Sequence, residues 1–335
     1  MDKIQTTKIE SVNMGRIVWV DWAKAILIYL MVLGHCFPGK IINELIYAFH
    51  MPAFFVISGY LYHRHGWKKT LKSFLVPVGV FSVVNFAFWL VPKLIKGTLD
   101  CSHLFERIIM PFIGGGTLGM DYIIVFPGVW FVIALLLARF LLGDLNLFSF
   151  VSRHAVVVLV LFLVFLCVEE HCFPDNPLIK YKFYRVVPAM PFVLTGFLWK
   201  KFNPETLPNW TIIPLFAAYT GLTLFLGECN MLDYRFSYSY ILYYVNALCG
   251  SLLLFRLCCF VKENEIVRVF SKGTFFILAF NFSLIIGCRH ILRMIGIADE
   301  MDITLRALLM SVAVMSISYY PIKYLLRFYP VLLGK

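Results

Sequence analysis

Lys24 and His35 stand eleven residues apart in the first long apolar run of the chain. On an α-helix, eleven steps of about 100° return to within about 20° of the starting direction, so both side chains share one face, about 16 Å apart along the axis. Histidine is suited to take up and release a proton near neutral pH, and a lysine in that column can hold an anionic group. Asp21, three residues before Lys24, can neutralise it on the same face; a purely structural ion pair is the competing reading of these two. The next apolar run follows after the short turn at Pro38 to Lys40, so it must return antiparallel beside the first. Counting from that turn puts His50 between His35 and Lys24 in depth, and Ser58 near the level of Asp21. A polar column is therefore expected from one edge of the hairpin almost to the opposite face. For His50, an interhelical hydrogen bond that fixes its tautomer competes with a catalytic role. Pro52 cannot donate to the carbonyl of Ala48, which implies a kink beside a cavity.

Charged groups inside a bilayer cost about 3 kcal/mol each on insertion scales, so the remaining ionisable residues within apolar runs are further candidates. They are Glu44, Arg139, Arg256, Lys272 and Arg306. Arg256 and Lys272 lie near the ends of their runs, where snorkelling accounts for them. Arg139 and Arg306 are harder to dismiss and stand as candidate substrate-binding residues. After the hairpin comes a basic segment, His63 to Lys72, in which Lys68, Lys69 and Lys72 are placed to hold the phosphates of a cytosolic donor at the mouth of the column. Contact with anionic lipid is the competing reading. There is no Walker loop or glycine-rich nucleotide fingerprint, and Gly114 to Gly116 reads as a flexible turn.

The elements that must position these residues follow from composition. Of 335 residues, 61% are hydrophobic and only 15% charged, which excludes a water-soluble globular protein. Ten apolar windows, 17–37, 41–62, 74–91, 129–148, 155–168, 184–199, 212–226, 238–261, 269–292 and 303–326, predict an all-α polytopic membrane protein with about ten transmembrane helices. The runs are continuous instead of alternating, which sets aside a β-barrel. The expected organisation is a cytoplasmic N-terminal segment, 1–16, a single membrane domain, 17–327, and a cytoplasmic tail, 328–335. Of the 30 Lys and Arg, fifteen fall on the side of the N-terminus and ten opposite, the other five being Lys24, Arg139, Arg256, Lys272 and Arg306 within the windows. That bias favours cytoplasmic termini. The net charge of +11 fits loops facing anionic lipid, and no basic motif with interleaved aromatics points to nucleic acid. The first window carries charges and lacks a small-residue cleavage site, so it is expected to stay as a helix. The nine cysteines lack metal-ligand spacing, and only Cys101, Cys172 and Cys229 fall in loops, where one external disulfide is open to them.

The run Val20-Asp21-Trp22-Ala23-Lys24 through Val32-Leu33-Gly34-His35, followed by Phe49-His50-Met51-Pro52-Ala53-Phe54-Phe55-Val56-Ile57-Ser58-Gly59-Tyr60, resembles the opening of the acyltransferase family 3 membrane proteins, most closely the fucose 4-O-acetylase-like group. The likeness continues through the segment ending Phe74-Leu75-Val76-Pro77, through Val129 to Leu135 and through Val187 to Phe197, and covers essentially the whole chain. It implies transfer of an acyl group, usually acetyl from cytosolic acetyl-CoA, to a hydroxyl of an extracytoplasmic or lipid-linked saccharide of the cell envelope, without a metal and in the cytoplasmic membrane. It also implies that Lys24 and His35 occupy the family's essential basic and histidine positions. Asn281 stands where many members carry a histidine, which implies altered activity or altered acceptor binding. The length leaves no room for a fused extracytoplasmic esterase-like domain. On this reading His35 deprotonates the acceptor, with a transiently acylated His35 as a variant, Lys24 with Lys68, Lys69 and Lys72 orients the donor, and Asp21 fixes Lys24. A transporter or flippase that leaves the thioester intact is the competing class, and a sensor or assembly subunit with a degenerate site is a third. Oligomeric state is left open.

Overall fold

The computed structural model describes residues 17–101, 104–114, 125–296 and 301–335; the expected segment 1–16 and Gly115 and Gly116 of the glycine turn lie outside the described residues. The described chain is helical in each of the ten expected windows. α1 is Val18–His35, with Asp21 in its first turn, where a carboxylate suits the helix dipole, and His35 in its last. The second window is two helices, α2 Lys40–Tyr47 and α3 His50–Tyr60. The expected kink is thus a break at Ala48–Phe49, which leaves Pro52 in the first turn of α3, where a missing N–H costs nothing. α4, Trp67–Ile95, is longer than its window and runs through Pro77 and Pro92. A short α5, Leu104–Ile113, follows in the connection, where no helix was expected.

α6, Val129–Arg139, ends in a π-helical turn, Phe140–Asp144, in which Gly143 (φ 130°) takes a conformation that a side chain would strain. The rest are α7 Ser149–Arg153, α8 Ala155–Cys172, α9 Val186–Leu198, α10 Ile212–Leu226, α11 Tyr240–Cys258, α12 Glu265–Lys272, α13 Thr274–Met294 and α14 Ile303–Phe328. The ninth window is therefore two helices, broken at Gly273, where the Ile322 side chain of α14 presses in. Beyond α14 the chain turns back through Pro330–Leu333 and packs against α4, α13 and α14.

Among the described residues, eight helices are long and apolar enough to cross a membrane, the α2–α3 pair counting as one. Together they make an all-α polytopic membrane protein. α1, α2–α3 and α11 bury more than half of their residues, while α8 and α10 bury under a fifth and present Val156, Leu161, Phe216 and Leu224 outward. α6 and α9 are shorter and almost wholly interior. All nine cysteines are free, Cys101, Cys172 and Cys229 among them.

In lipid, helices associate by close packing and not by expulsion of water, and small residues set how close they come. α3 and α9 make the most intimate pair in the molecule. A Cβ at Gly59 would collide with the carbonyl of Val193, and one at Gly196 with the carbonyl of Val56. This crossing holds α3, and with it His50, Met51 and Ser58, against α1. Gly196→Val is expected to cost well over the ~1–3 kcal/mol of ordinary overpacking, because backbone cannot yield as a side chain does. Gly221→Val on α10, where an added Cβ meets nothing, is expected to be neutral. Recovery of monodisperse protein and its thermal unfolding in detergent would compare the two; equal tolerance would contradict this packing account.

Candidate active site

Two cavities lie end to end along α1. The first, about 330 Å³, is lined by His35, His50 and Asn281 and, towards the loops that follow α8 and α10, by Lys182, Arg185, Asn230 and Asp233. The second, about 300 Å³, is lined by Lys24, Ser58, His65, Arg139, Lys272 and Lys335. Met31, Met51, Phe131 and Leu278 line both and form a collar between them. Two of the four collar residues are methionines, whose unbranched side chains re-pack with little strain.

His35 is held by α13. Its Nδ1 lies 2.9 Å from Oδ1 of Asn281, and the amide Nδ2 of Asn281 donates to the carbonyls of Ile277 and Leu278, each at 3.0 Å. Those two carbonyls fix which way the amide points, so its oxygen faces His35 and can only accept. In the neutral imidazole the proton is therefore on Nδ1, and Nε2 carries the lone pair. Phe282 stacks on the ring at 4.5 Å between centroids and holds its plane. His50 is locked the same way, donating from Nδ1 to the carbonyl of Ile46 at 2.7 Å. Two imidazoles with basic Nε2 atoms thus line one cavity, an arrangement that can accept hydrogen bonds or a proton from a hydroxyl.

Asn281 is the eighth of the 21 residues of α13, which continues thirteen residues, about 20 Å, beyond it. α1 stops at His35 while α13 goes on, so the column of Lys24, His50 and His35 opens at its His35 end into the first cavity. That cavity is roofed by the segments that follow α8 and α10, which the sequence reading passed over. Arg185, almost fully buried, donates from Nε to the carbonyl of Leu232 at 2.7 Å and also bonds the carbonyl of Ile179. Glu169, also buried, accepts from the hydroxyls of Tyr184 (2.9 Å) and Tyr234 and from Asn176 Nδ2 (2.9 Å). These bonds clasp the two loops together. Burial lowers the Lys182 ammonium below the usual lysine range, with Arg185 adding to the effect and Asp233 opposing it.

At the other end, Asp21 accepts from the Ser271 hydroxyl at 2.6 Å, tying α1 to α12, and its charge acts on Lys24. Lys272 lines the second cavity and does not merely snorkel; the break at Gly273 separates α12 from α13 directly after it. Lys68, Lys69 and Lys72 are exposed on the first turns of α4, outside the residues that line the cavity. Arg306 sits half-buried in the second turn of α14 and lines neither cavity. Arg139 lines the second cavity, stacked over the Tyr62 ring at 5.1 Å.

Arg139 is held there by Asp144, which the sequence reading missed. Asp144 is 1% exposed and accepts from Arg139 Nε, the Tyr62 hydroxyl and the His65 backbone N–H, each at 3.1 Å, and from the Thr70 hydroxyl. An acid inside the window 129–148, five residues after an arginine, was the available signal. Removing one partner of a buried pair strands the other charge, so Asp144→Ala is expected to cost about 3–5 kcal/mol. Tryptophan-monitored unfolding would check this, a loss below 1 kcal/mol being incompatible with the network.

Among the described residues, no three His, Cys, Asp or Glu side chains come together as a metal-binding group. The chain matches no curated protein and no solved structure. Residues 17–323 match the acyltransferase 3 family, described as an acyltransferase domain; this match takes in the whole lining of the first cavity, that of the second except its C-terminal residues such as Lys335, and every helix described above except the last turn of α14. The chain whose α1 sets a histidine in one cavity and a lysine in the next is thus a polytopic membrane protein that belongs to the acyltransferase 3 family.

Proposed function

We propose that this chain is a membrane O-acyltransferase of the fucose 4-O-acetylase-like kind, moving an acetyl group from cytosolic acetyl-CoA to a hydroxyl of an extracytoplasmic or lipid-linked saccharide of the cell envelope. The observation that carries this reading is the pair of cavities, with cations around Lys24 in one, His35 in the other, and a narrow collar between. A soluble donor and an external acceptor can then meet without an open pore. The chain sits in the cytoplasmic membrane as one domain over residues 17–327. Counting α6 and α9 as crossings gives ten, so both termini share one side, and the bias of Lys and Arg makes that side the cytoplasm.

The donor's arm extends from Lys24 through the collar, placing its thioester beside His35; the two residues are about 16 Å apart on the helix. Nε2 of His35 takes the proton of the acceptor hydroxyl as that oxygen attacks the thioester carbonyl. The C–S bond then breaks, and CoA leaves as the thiol with the proton His35 took up. His50 accepts a hydrogen bond from the acceptor, and Lys182, Arg185 and Asp233 hold its polar groups. Lys24, Lys272, Arg139 and Lys335 meet the donor's negative charge, while Lys68, Lys69 and Lys72 at the rim draw it in from solution.

Purified protein in lipid, given acetyl-CoA and crude envelope glycans, is expected to release free CoA only when glycan is present. The cavities also suit a transporter, in which no bond changes. An intact thioester after transport of glycan would favour that reading and overturn the one proposed.

A further inference from the structure

Lys272 faces two spaces. Beyond it, away from Lys24, a groove of about 830 Å³ lies between α12 and the last turns of α14. On α12, Arg268 and Lys272 are four residues apart and share a face. On α14, Tyr320, Lys323, Tyr324 and Arg327 recur at three- and four-residue steps and form one stripe. The two stripes line opposite walls of the groove. Arg268, Lys272, Lys323 and Arg327 supply four cations against one carboxylate, Glu265, which lies 3.1 Å from Lys323. Tyr320 and Tyr324 are 76% and 55% exposed, with Tyr324 packing against Phe328 at 4.8 Å between ring centroids.

Cations that serve topology or meet anionic lipid also cluster beside helix ends, but they need no cavity to converge on. Here four converge on a concavity that shares Lys272 with the cavity holding Lys24, and the aromatic faces stand among them. Guanidinium and ammonium groups around a groove suit clustered phosphates, and tyrosine rings suit a planar base.

We propose that the groove between α12 and α14 binds the phosphorylated adenosine end of the acyl donor, with Arg268 and Arg327 as its main phosphate ligands and Lys272 marking where the donor's arm turns inward towards Lys24. This assignment rests on the acyltransferase reading and moves the nucleotide away from Lys68, Lys69 and Lys72 on α4.

The test uses the full chain in zwitterionic nanodiscs and two measurements. Direct binding of adenosine 3′,5′-bisphosphate is compared between the native chain and the Arg268→Gln/Arg327→Gln variant. Initial rates are then compared for acetyl-CoA and for S-acetylpantetheine, which lacks the nucleotide. The variant is expected to bind the bisphosphate at least tenfold more weakly and to raise KM for acetyl-CoA at least tenfold. Its kcat and its KM for S-acetylpantetheine should not change. Undiminished bisphosphate binding in the variant would overturn the assignment, as would equal weakening towards both donors. A native chain that binds no bisphosphate but, in nanodiscs doped with phosphatidylglycerol, binds that lipid and loses it on the double substitution would overturn the assignment and make the groove an anionic-lipid site. Absence of turnover with either donor would count against the acyltransferase reading, while the binding comparison would still decide the groove.

Discussion

His35→Ala is expected to lower acceptor-dependent acyl transfer by about 10²- to 10⁴-fold, the span that a positioned general base contributes. The argument rests on position and tautomer together. The ring lines the cavity above the collar, and its bond to Asn281 leaves Nε2 as the basic nitrogen. Removing the imidazole deletes the group that takes the hydroxyl proton, while leaving Lys24 and its cavity in place. The side chain's main tie is one hydrogen bond and one ring contact, so the variant should fold and still bind donor. Equal rates for native and variant protein, with equal recovery and donor affinity, would remove His35 from the mechanism.

Asn281→Leu is expected to lower the rate on the order of 10²-fold with donor affinity unchanged, because it frees the imidazole to adopt either tautomer. Leucine keeps the branched outline and the number of heavy side-chain atoms, and its added bulk borders the first cavity, so packing should survive. Asn281→Asp restores an acceptor facing Nδ1 and should recover part of the rate. Nitrogen NMR of a labelled histidine offers a readout that mere packing would not move, with His35 protonated on Nδ1 in the native chain and mixed in the leucine variant. An unchanged tautomer together with an unchanged rate would leave Asn281 as a packing residue. On this account the asparagine does not mark a degenerate site; it does for His35 what a carboxylate or amide does for a histidine general base elsewhere.

Much of the site was legible because it is local. Lys24 and His35 share a face through helical geometry alone, and the short turn after α1 forces α3 to bring His50 and Ser58 alongside. What remained hidden arises from contacts across the chain. His35 and Asn281 are 246 residues apart, and Asp21 and Ser271 are 250 apart. Neither pairing follows from periodicity. The breaks at Ala48–Phe49 and Gly273 were legible only as a proline and a glycine in apolar text. The second decides that Lys272 serves two spaces. Asp144 was overlooked because it lies at the end of an apolar window, where a charge reads as a boundary. Only the π-helical turn, with Gly143 at φ 130°, carries it back under Arg139.

The central claim is that donor and acceptor reach His35 from opposite faces of the membrane through two cavities joined at Met31, Met51, Phe131 and Leu278. The most direct test is a sided assay in sealed vesicles with the chain in one orientation, [acetyl-¹⁴C]acetyl-CoA outside and envelope saccharide only inside, or the reverse. The account predicts labelled saccharide in the trans compartment when donor faces the Lys24 end, and none when the two are exchanged. Labelling that requires donor and acceptor on the same side would contradict it.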